Sequence, residues 1–311
     1  MDPLQQRIVL VVRSTRIEDL VARFNTIDQA RFYIEHLGAD FGDYEAEHRT
    51  YRNAVQTCES TLRGFGRVQT LQRTFLPNFL FAPDALVVVL GQDGLVANTL
   101  KYLSGQRVLG VNPDPARWDG ALLPFDVGQL RGVMPHVVRG ERPTRAVTMA
   151  RVRLSDGQEL HAVNDIFIGP RSHVSARYEI RSGERHETQS SSGVIVSTGL
   201  GSTGWFRSLL AGAGGILGGA QKKSIATLRE HGFAWDAEHL HFTVREPFPS
   251  RTTQADLVFG MVTRAQPLHL TSLMAGHGVI FSDGIEADFL DFNSGMSATV
   301  EIAERRGYLF V

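Results

Sequence analysis

Apolar and polar positions follow two different patterns along the chain, and the first is that of an α/β domain. Residues 8–12 form an unbroken apolar run, typical of a strand buried on both faces of a parallel sheet. Residues 16–36 and 42–63 repeat apolar side chains at three- and four-residue spacing, which predicts helices. Residues 83–103 indicate a hydrophobic strand, a glycine turn and a helix, and residues 107–115 predict a further strand. This alternation with short connections predicts a parallel sheet.

From residue 127 onward the pattern changes to short β-rich segments separated by turns. These segments are residues 146–154, 158–169, 174–182, 239–246 and 267–274. Short strands with turns between them predict two packed sheets. We therefore predict an α/β plus all-β fold, with a parallel-sheet α/β domain over residues 1–126 and a β-rich, sandwich-like domain over residues 127–311. In this division the extreme C-terminus can pack back on the first domain. The glycine-rich residues 211–221 are predicted to form a loop.

Composition and charge narrow the class of protein. Hydrophobic residues make up 42% and charged residues 21% of the 311 residues, which is typical of a soluble globular protein. A formal net charge of −1 offers no electrostatic basis for binding nucleic acid or an acidic membrane surface. Cys58 is the single cysteine, so an internal disulfide is excluded and a reducing, cytoplasmic location is expected. The first residues carry neither the basic segment of a signal peptide nor an apolar run long enough to span a membrane.

The segment GLGSTG, residues 199–204, has the spacing G-x-G-x-x-G of a dinucleotide-binding turn. An apolar run precedes it, and a possible helix at residues 205–210 follows it. A Rossmann dehydrogenase is disfavoured because the motif lies in the β-rich half and because no carboxylate for the adenosine ribose follows it before Glu230. Residues 218–224 lack the Gly-Lys-Ser ending of a Walker loop. The motif is therefore only a weak indication when taken alone.

A better phosphate-handling candidate is Gly91-Gln92-Asp93-Gly94, which follows an apolar strand and opens a helix. Backbone N–H groups of a glycine turn and a helix N-terminus can approach an anion, and ligands gather at the carboxyl ends of parallel strands. Asp93 could hold Mg²⁺, accept a proton from an attacking hydroxyl, or cap the helix. The residues alone leave these three roles open.

Five segments resemble motifs of the NAD kinase family, and they occur in the family's order. Residues 91–94 stand where the family has G-G-D-G, and residues 110–122 resemble its N-x-D-P stretch. Residues 162–169 resemble its N-[ED] motif, residues 191–208 its S-G…T-G-T-G-S-x-A-W segment, and residues 281–288 its late D-G turn. The chain is most similar to the mitochondrial type of NAD kinase and its bacterial relatives.

The resemblance implies an activity, and with it a set of site residues. The activity is phosphorylation of the adenosine ribose 2′-hydroxyl of NAD or NADH, with ATP as donor and Mg²⁺ or another divalent cation, in a homodimer or homotetramer. The first domain would bind the nucleotide, with Asp93 as the catalytic residue and Gly91, Gln92 and Gly94 as the ATP loop. The second domain would bind the dinucleotide through Asn164, Asp165, Gly201, Ser202, Thr203, Gly204, Trp205 and Ser208.

Several positions depart from the family pattern, and most of them fall on the triphosphate side. Gln92 replaces the second glycine of G-G-D-G, and Leu95 and Leu200 stand where hydroxyl-bearing residues are usual. Ser192 occupies a position that is aspartate in much of the family. Two alternatives to the kinase therefore stay open: a catalytically weak or inactive NAD(H)-binding protein of the same fold, and a kinase for a sugar or lipid hydroxyl.

Simpler interpretations accompany several of these residues. Without the resemblance, Asn164 and Asp165 fit an Asx turn before a strand, and Trp205 fits core packing. Asp283-Gly284 fits a hairpin turn, and we assign it no chemistry. The pair His239-x-His241 lies on one face of a predicted strand, but no third ligand is evident, so no metal site is predicted.

Overall fold

A computed structural model describes residues 6–217 and 223–311, which form two compact units, each with its own hydrophobic core. Unit 1 extends to Arg145 and includes Tyr308–Val311, whereas unit 2 is Ala146–Gly307. The division therefore falls later than the expected one at residue 127. The reason is a helix, Leu130–Val138, whose apolar side chains belong to the core of unit 1.

Unit 1 contains the strands near residues 8–12, 86–90 and 107–112 that the hydrophobic pattern predicts, and it adds strands at residues 67–72 and 125–126 and a helix at residues 130–138. Its strands are β1 (Arg7–Val12), β2 (Arg67–Gln72), β3 (Leu86–Leu90), β4 (Arg107–Asn112) and β5 (Phe125–Asp126). Its helices are α1 (Arg16–Phe24), α2 (Ile27–His36), α3 (Phe41–Arg63), α4 (Asp93–Leu100) and α5 (Leu130–Val138). The predicted helix over residues 16–36 is two helices, because Asn25 adopts a φ of 68° and the side chain of Thr26 caps α2.

The sheet of unit 1 is parallel, with strand order β2-β1-β3-β4. Tyr308 and Leu309 extend it by pairing in parallel with the start of β4, and β5 pairs with the end of β4. Helices α3 and α5 cover the sheet with apolar side chains. Cys58 of α3 is buried there, and this burial raises the pKa of its thiol to about 12, which is typical of a core thiol.

Unit 2 is built mainly from short strands. They are β6 (Thr144–Leu154), β7 (Glu159–Ala162), β8 (Asp165–Pro170), β9 (Ala176–Ser182), β10 (Arg185–Ser191), β11 (Val194–Ser197), β12 (Leu240–Val244), β13 (Phe259–Val262), β14 (Leu268–Ser272), β15 (Gly278–Ser282), β16 (Ile285–Asp291) and β17 (Ser297–Phe310). Strand β6 begins and strand β17 ends with residues of unit 1. Its helices are α6 (Trp205–Ile216) and α7 (Lys223–His231).

The strands of unit 2 form two layers that enclose one core, which confirms the predicted β-rich, sandwich-like fold. One layer has the order β10-β9-β14-β17, and β6 pairs with β17 on one side and with β7 on the other. The other is antiparallel, with the order β13-β12-β11-β8-β15-β16. Helix α6 packs on the outer face of this second layer through Trp205 and Leu209.

The prediction of a loop at residues 211–221 is wrong for residues 211–216, because α6 continues to Ile216. Leu210 and Gly214 are buried one helical turn apart, so tertiary packing overrides the low helix propensity of the glycines. Residues 218–221 of that prediction lie outside the described residues.

Candidate active site

The turn at residues 91–94 joins the carboxyl end of β3 to the start of α4. All residues of β3 are apolar and buried, so the strand carries this turn to the edge of the sheet where ligands of parallel sheets bind. Gln92 is the half-buried N-cap of α4, and within the described part of the chain its side chain makes no capping hydrogen bond. Gly94 is exposed, and apart from its chain neighbours and the backbone of α4 no described atom lies within 4 Å of a Cβ built on it. The backbone at the start of α4 is therefore accessible to a ligand.

Asp93 is the first residue of α4, and its carboxylate holds a neighbouring loop. Its Oδ1 accepts a hydrogen bond from the backbone N–H of Leu122 at 2.8 Å, and its Oδ2 accepts one from Ala121 at 3.1 Å. These bonds go to the loop after β4 and not to the amides of α4, so they do not cap the helix. Each oxygen keeps a second lone pair with which it can accept a proton.

The loop after β4 is folded by the segment that resembles N-x-D-P. The Asn112 side chain donates from Nδ2 to the carbonyl of Trp118 at 2.9 Å and accepts from the N–H of Asp114 at 3.0 Å. A Cβ on Gly110 would lie 2.1 Å from the carbonyl oxygen of Leu122, so glycine lets the loop lie directly on β4. This close packing brings the loop amides within reach of Asp93.

In unit 2, Asp283 holds the turn that contains Asn164 and Asp165. Its Oδ1 accepts hydrogen bonds from the N–H groups of Asn164 at 2.6 Å, Val163 at 3.1 Å and Asp165 at 3.3 Å. Asp283 and Gly284 have φ values of 56° and 69°, as a tight hairpin turn between β15 and β16 requires. The hairpin assignment is therefore right in geometry, but the side chain that we treated as passive orients the candidate dinucleotide turn.

The carboxyl group of Asp165 is buried, with 7% of the residue exposed. Burial, followed by the negative charge of Asp283, raises the pKa of Asp165 to about 7. Near neutral pH this group can therefore act either as a hydrogen-bond donor or as an acceptor.

We expect Asp165→Asn to flatten the pH dependence of stability. The folded protein holds the Asp165 proton more tightly than a free carboxyl with a pKa of 3.8, so this group stabilises the fold fully below that pH. This contribution to the free energy of unfolding amounts to about 1.4 kcal/mol for each unit by which folding raises the pKa. It is lost as the pH rises through about 7. Urea unfolding at several pH values should show a smaller loss for the variant than for wild type.

Asp156→Asn is the matched control, because Asp156 is an exposed turn carboxyl whose pKa is lowered by a hydrogen bond from the backbone of Gln158. Equal pH slopes for wild type and Asp165→Asn would contradict the assignment of a high pKa to Asp165.

The glycines of residues 199–204 serve close packing of the chain against itself. A Cβ on Gly201 would lie 2.1 Å from the carbonyl oxygen of Asn164, and one on Gly199 would lie 1.9 Å from that of Ala234. The N–H of Thr198 also donates to Asn164 at 2.9 Å. The fold thus brings together Gly201 and Asn164, two residues to which the resemblance assigns dinucleotide binding, and backbone of the same chain lies directly beside the α-carbon of Gly201.

The remaining residues of this segment divide into buried and exposed ones. The Ser202 hydroxyl is fully buried, donates to the carbonyl of Gly199 at 2.6 Å and accepts from the N–H of Phe233 at 3.1 Å, so it stabilises the loop. Thr203, Gly204 and Ser208 are exposed, and they remain the predicted ligand contacts.

Trp205 begins α6, where it combines core packing with exposure. Its ring stacks on Phe167 at 5.8 Å, and the Arg245 guanidinium lies 5.3 Å from it. The same side chains, with Ser192 and Arg171, line a cavity of about 480 Å³. This volume is within the range of small-molecule sites.

His241 is a core residue in the described structure. It stacks on Phe206 and Phe259, and burial lowers its pKa to about 4. Its ring lies 5.1 Å from that of His239. Within residues 6–217 and 223–311, no three His, Cys, Asp or Glu side chains group so that they could hold a metal ion.

Comparison with known proteins identifies the fold. No protein-family model and no curated protein sequence matches the chain. The chain is similar in structure to an NAD kinase from Archaeoglobus fulgidus in complex with ATP, at 16% identity and a TM-score of 0.56, over 98% of this chain and 93% of that one. It is also similar to yeast NADH kinase complexed with NADH, at 16% identity and a TM-score of 0.57, over 100% of this chain and 84% of that one. The chain therefore has the NAD kinase fold, as the order of its motifs predicted.

No described helix is long and apolar enough to cross a membrane.

Proposed function

We propose that this protein is an NAD kinase, which transfers the γ-phosphoryl group of ATP to the adenosine ribose 2′-hydroxyl of NAD or NADH. The observation that carries the proposal is the position of Asp93 in the NAD kinase fold. It lies at the carboxyl end of a buried parallel strand, with two backbone amides fixing its carboxylate beside an open glycine. Both neighbours named above support this assignment, since one is an NAD kinase with ATP and the other an NADH kinase with NADH.

In this proposal Asp93 accepts the proton of the 2′-hydroxyl while that oxygen bonds to the γ-phosphorus. The bond between the γ-phosphorus and the β,γ-bridging oxygen breaks, and ADP leaves. Accessible backbone near Gly94 and the N-terminus of α4 meet the donor phosphates. A divalent cation enters as substrate with the phosphates of ATP.

The dinucleotide is held by the turn that Asp283 orients and by the exposed part of the 201–208 segment. The Asn164 side chain offers an acceptor and two donors to an adenine edge, and Asp165 offers its carboxyl group to ribose hydroxyls. We further propose a homodimer or homotetramer in the cytoplasm, on the basis of the family resemblance and of the buried, unpaired Cys58.

A catalytically weak dinucleotide-binding protein is the second candidate, and it is favoured by one observation on the donor side. Leu95 is buried and lies close over Gly91, since its Cδ2 would be 2.8 Å from a Cβ built there. An apolar side chain therefore occupies the position where the family pattern usually has a hydroxyl. Gln92 adds a side chain to the same turn. Both changes remove or obstruct polar contacts that a triphosphate uses.

Binding and turnover measurements distinguish these candidates. We expect NAD or NADH at a hundred times its Kd to raise the free energy of unfolding by about 2.7 kcal/mol, seen as a higher melting temperature. With ATP and Mg²⁺ added, NADP or NADPH should form. A thermal shift without product would favour the weakly catalytic binding protein, and no shift with NAD, NADH, NADP or NADPH would reject both candidates.

A further inference from the structure

Strands β1 and β3 are parallel neighbours, so their carboxyl ends emerge side by side. Val11 pairs with Val89 in register, which places Arg13, just after β1, beside the start of the turn that follows β3. Leu90 is the last residue of β3. A contact that joins Arg13 to Leu90 therefore fixes the position at which the 91–94 turn begins.

The hydroxyl of Tyr51, on α3, makes this contact. It donates to the carbonyl oxygen of Leu90 at 2.8 Å and accepts from the backbone N–H of Arg13 at 2.9 Å. Only 2% of the residue is exposed, and burial raises the pKa of Tyr51 to about 12, so the hydroxyl stays protonated and keeps both bonds at neutral pH.

Arg13 and Glu47 hold Tyr51 in place. The Arg13 guanidinium lies 4.6 Å from the centre of the Tyr51 ring and donates to Glu47 Oε1 at 2.7 Å. Glu47 lies one helical turn before Tyr51 on α3, is 4% exposed, and also accepts from the backbone N–H of Arg16 at 3.3 Å. Replacing a buried ion pair by apolar side chains is often neutral for stability, so the pair is weak evidence for a role in stability alone. The directional bonds of this pair, together with those of the Tyr51 hydroxyl, do specify how α3 lies against the carboxyl ends of β1 and β3.

We propose that Tyr51, supported by Arg13 and Glu47, is a positioning residue for the proposed phosphoryl transfer, because it anchors Leu90 three residues before Asp93. The expected effect on turnover rests on the proposed function, whereas the expected effect on the 91–94 turn does not. A catalytic group displaced by 1 Å can lose about 10²-fold in rate. Tyr51 achieves its effect without touching a substrate.

The test compares Tyr51→Phe with Tyr178→Phe in the full chain. Tyr178 is a fully buried tyrosine of unit 2 whose hydroxyl bonds to Gln189 at 3.2 Å and Ser191 at 2.7 Å, so both variants lose one doubly bonded buried hydroxyl. We expect Tyr51→Phe to lower kcat by roughly 10-fold or more with KM for NAD within about two-fold. Tyr178→Phe should leave kcat within about two-fold, because its hydroxyl does not support the 91–94 turn.

Hydrogen exchange provides the readout that does not depend on activity. Amides of residues 91–95 should exchange faster in Tyr51→Phe than in wild type or Tyr178→Phe. Equal exchange there in all three proteins, or a kcat in Tyr51→Phe equal to that of Tyr178→Phe in an active enzyme, would overturn the positioning role. A wild type without kinase activity would reject the proposed function instead, and the exchange comparison would still decide the inference. Should Tyr51→Phe fail to fold, Glu47→Gln keeps the hydroxyl, weakens its support, and should show the same local increase in exchange.

Discussion

Replacing Asp93 by asparagine is expected to lower the rate of phosphoryl transfer by about 10²–10⁴-fold, because an amide cannot accept the proton of the ribose hydroxyl. The substitution keeps the size of the side chain, so the affinity for NAD or NADH should change little. Turnover in the presence of ATP and Mg²⁺, together with the Kd for the dinucleotide, measures the two effects separately.

The structure adds a second consequence of this substitution. Both carboxylate oxygens of Asp93 accept backbone N–H groups, from Ala121 and Leu122, whereas asparagine has a single acceptor oxygen and would place its NH₂ group against one of these donors. The single acceptor oxygen can keep the part-buried N–H of Leu122, and the exposed N–H of Ala121 then loses its partner. Because water can replace that bond, the expected loss of stability is that of one ordinary hydrogen bond, about 0.5–1.5 kcal/mol.

Asp126→Asn is the control for this loss of stability. The Asp126 carboxylate also accepts a backbone N–H, from Gln129 at 2.8 Å before α5, and it has no part in the proposed chemistry. The Asp126→Asn substitution should leave turnover near the wild-type value. If Asp93→Asn also turned over at the wild-type rate, Asp93 would be an anchor for the loop after β4 and not the catalytic residue.

Gly201→Ala is expected to destabilise unit 2 by about 3 kcal/mol or more, at the upper end of the cost of overpacking. Its Cβ would lie 2.1 Å from the carbonyl oxygen of Asn164, and this atom belongs to the backbone. Relief requires the Asn164 turn to move, although Asp283 holds that turn with several hydrogen bonds. Urea unfolding should show the loss, and the affinity for NAD should fall with it.

Gly212→Ala is the matched control for Gly201→Ala. Gly212 lies exposed in α6, and apart from its chain neighbours and the backbone of that helix no described atom lies within 4 Å of the position of its Cβ. The added methyl group should raise stability by about 0.5–1 kcal/mol, because alanine is the better helix former. If Gly201→Ala were as stable as Gly212→Ala, close contact between the 201 segment and the Asn164 turn would be refuted.

Local pattern was sufficient to predict most of the fold. Strand β3 and residues 8–12 of β1 are entirely apolar, because both faces of a parallel sheet are covered, and this makes the two strands recognisable in the sequence. The strands of unit 2 could be predicted because short β-rich segments are separated there by turn residues. The continuation of α6 through residues 211–216 could not be predicted, because glycine has a low helix propensity. The helix forms there because Leu210 and Gly214 pack into the fold, and this packing is not visible in the local sequence.

The candidate site was predictable only where a motif is contiguous. Residues 91–94 and the pair Asn164–Asp165 could be found because each is a short local segment. Asp283 could not be linked to Asn164, which lies 119 positions earlier, because spacing in the sequence carries no information about a contact at that distance. The Asp-Gly pair in the late turn was the one available signal, and a hairpin explained it without any further role.

The entry of Tyr308–Val311 into unit 1 has a consequence for biosynthesis. Unit 2 is one uninterrupted segment, whereas the sheet of unit 1 is incomplete until Tyr308 and Leu309 pair with Arg107 and Val108. During translation the edge of β4 at these two residues therefore stays unpaired until the whole of unit 2 has been synthesised. An open strand edge of this kind can pair with other chains, so intermolecular strand pairing at β4 competes with folding until Tyr308 and Leu309 are available.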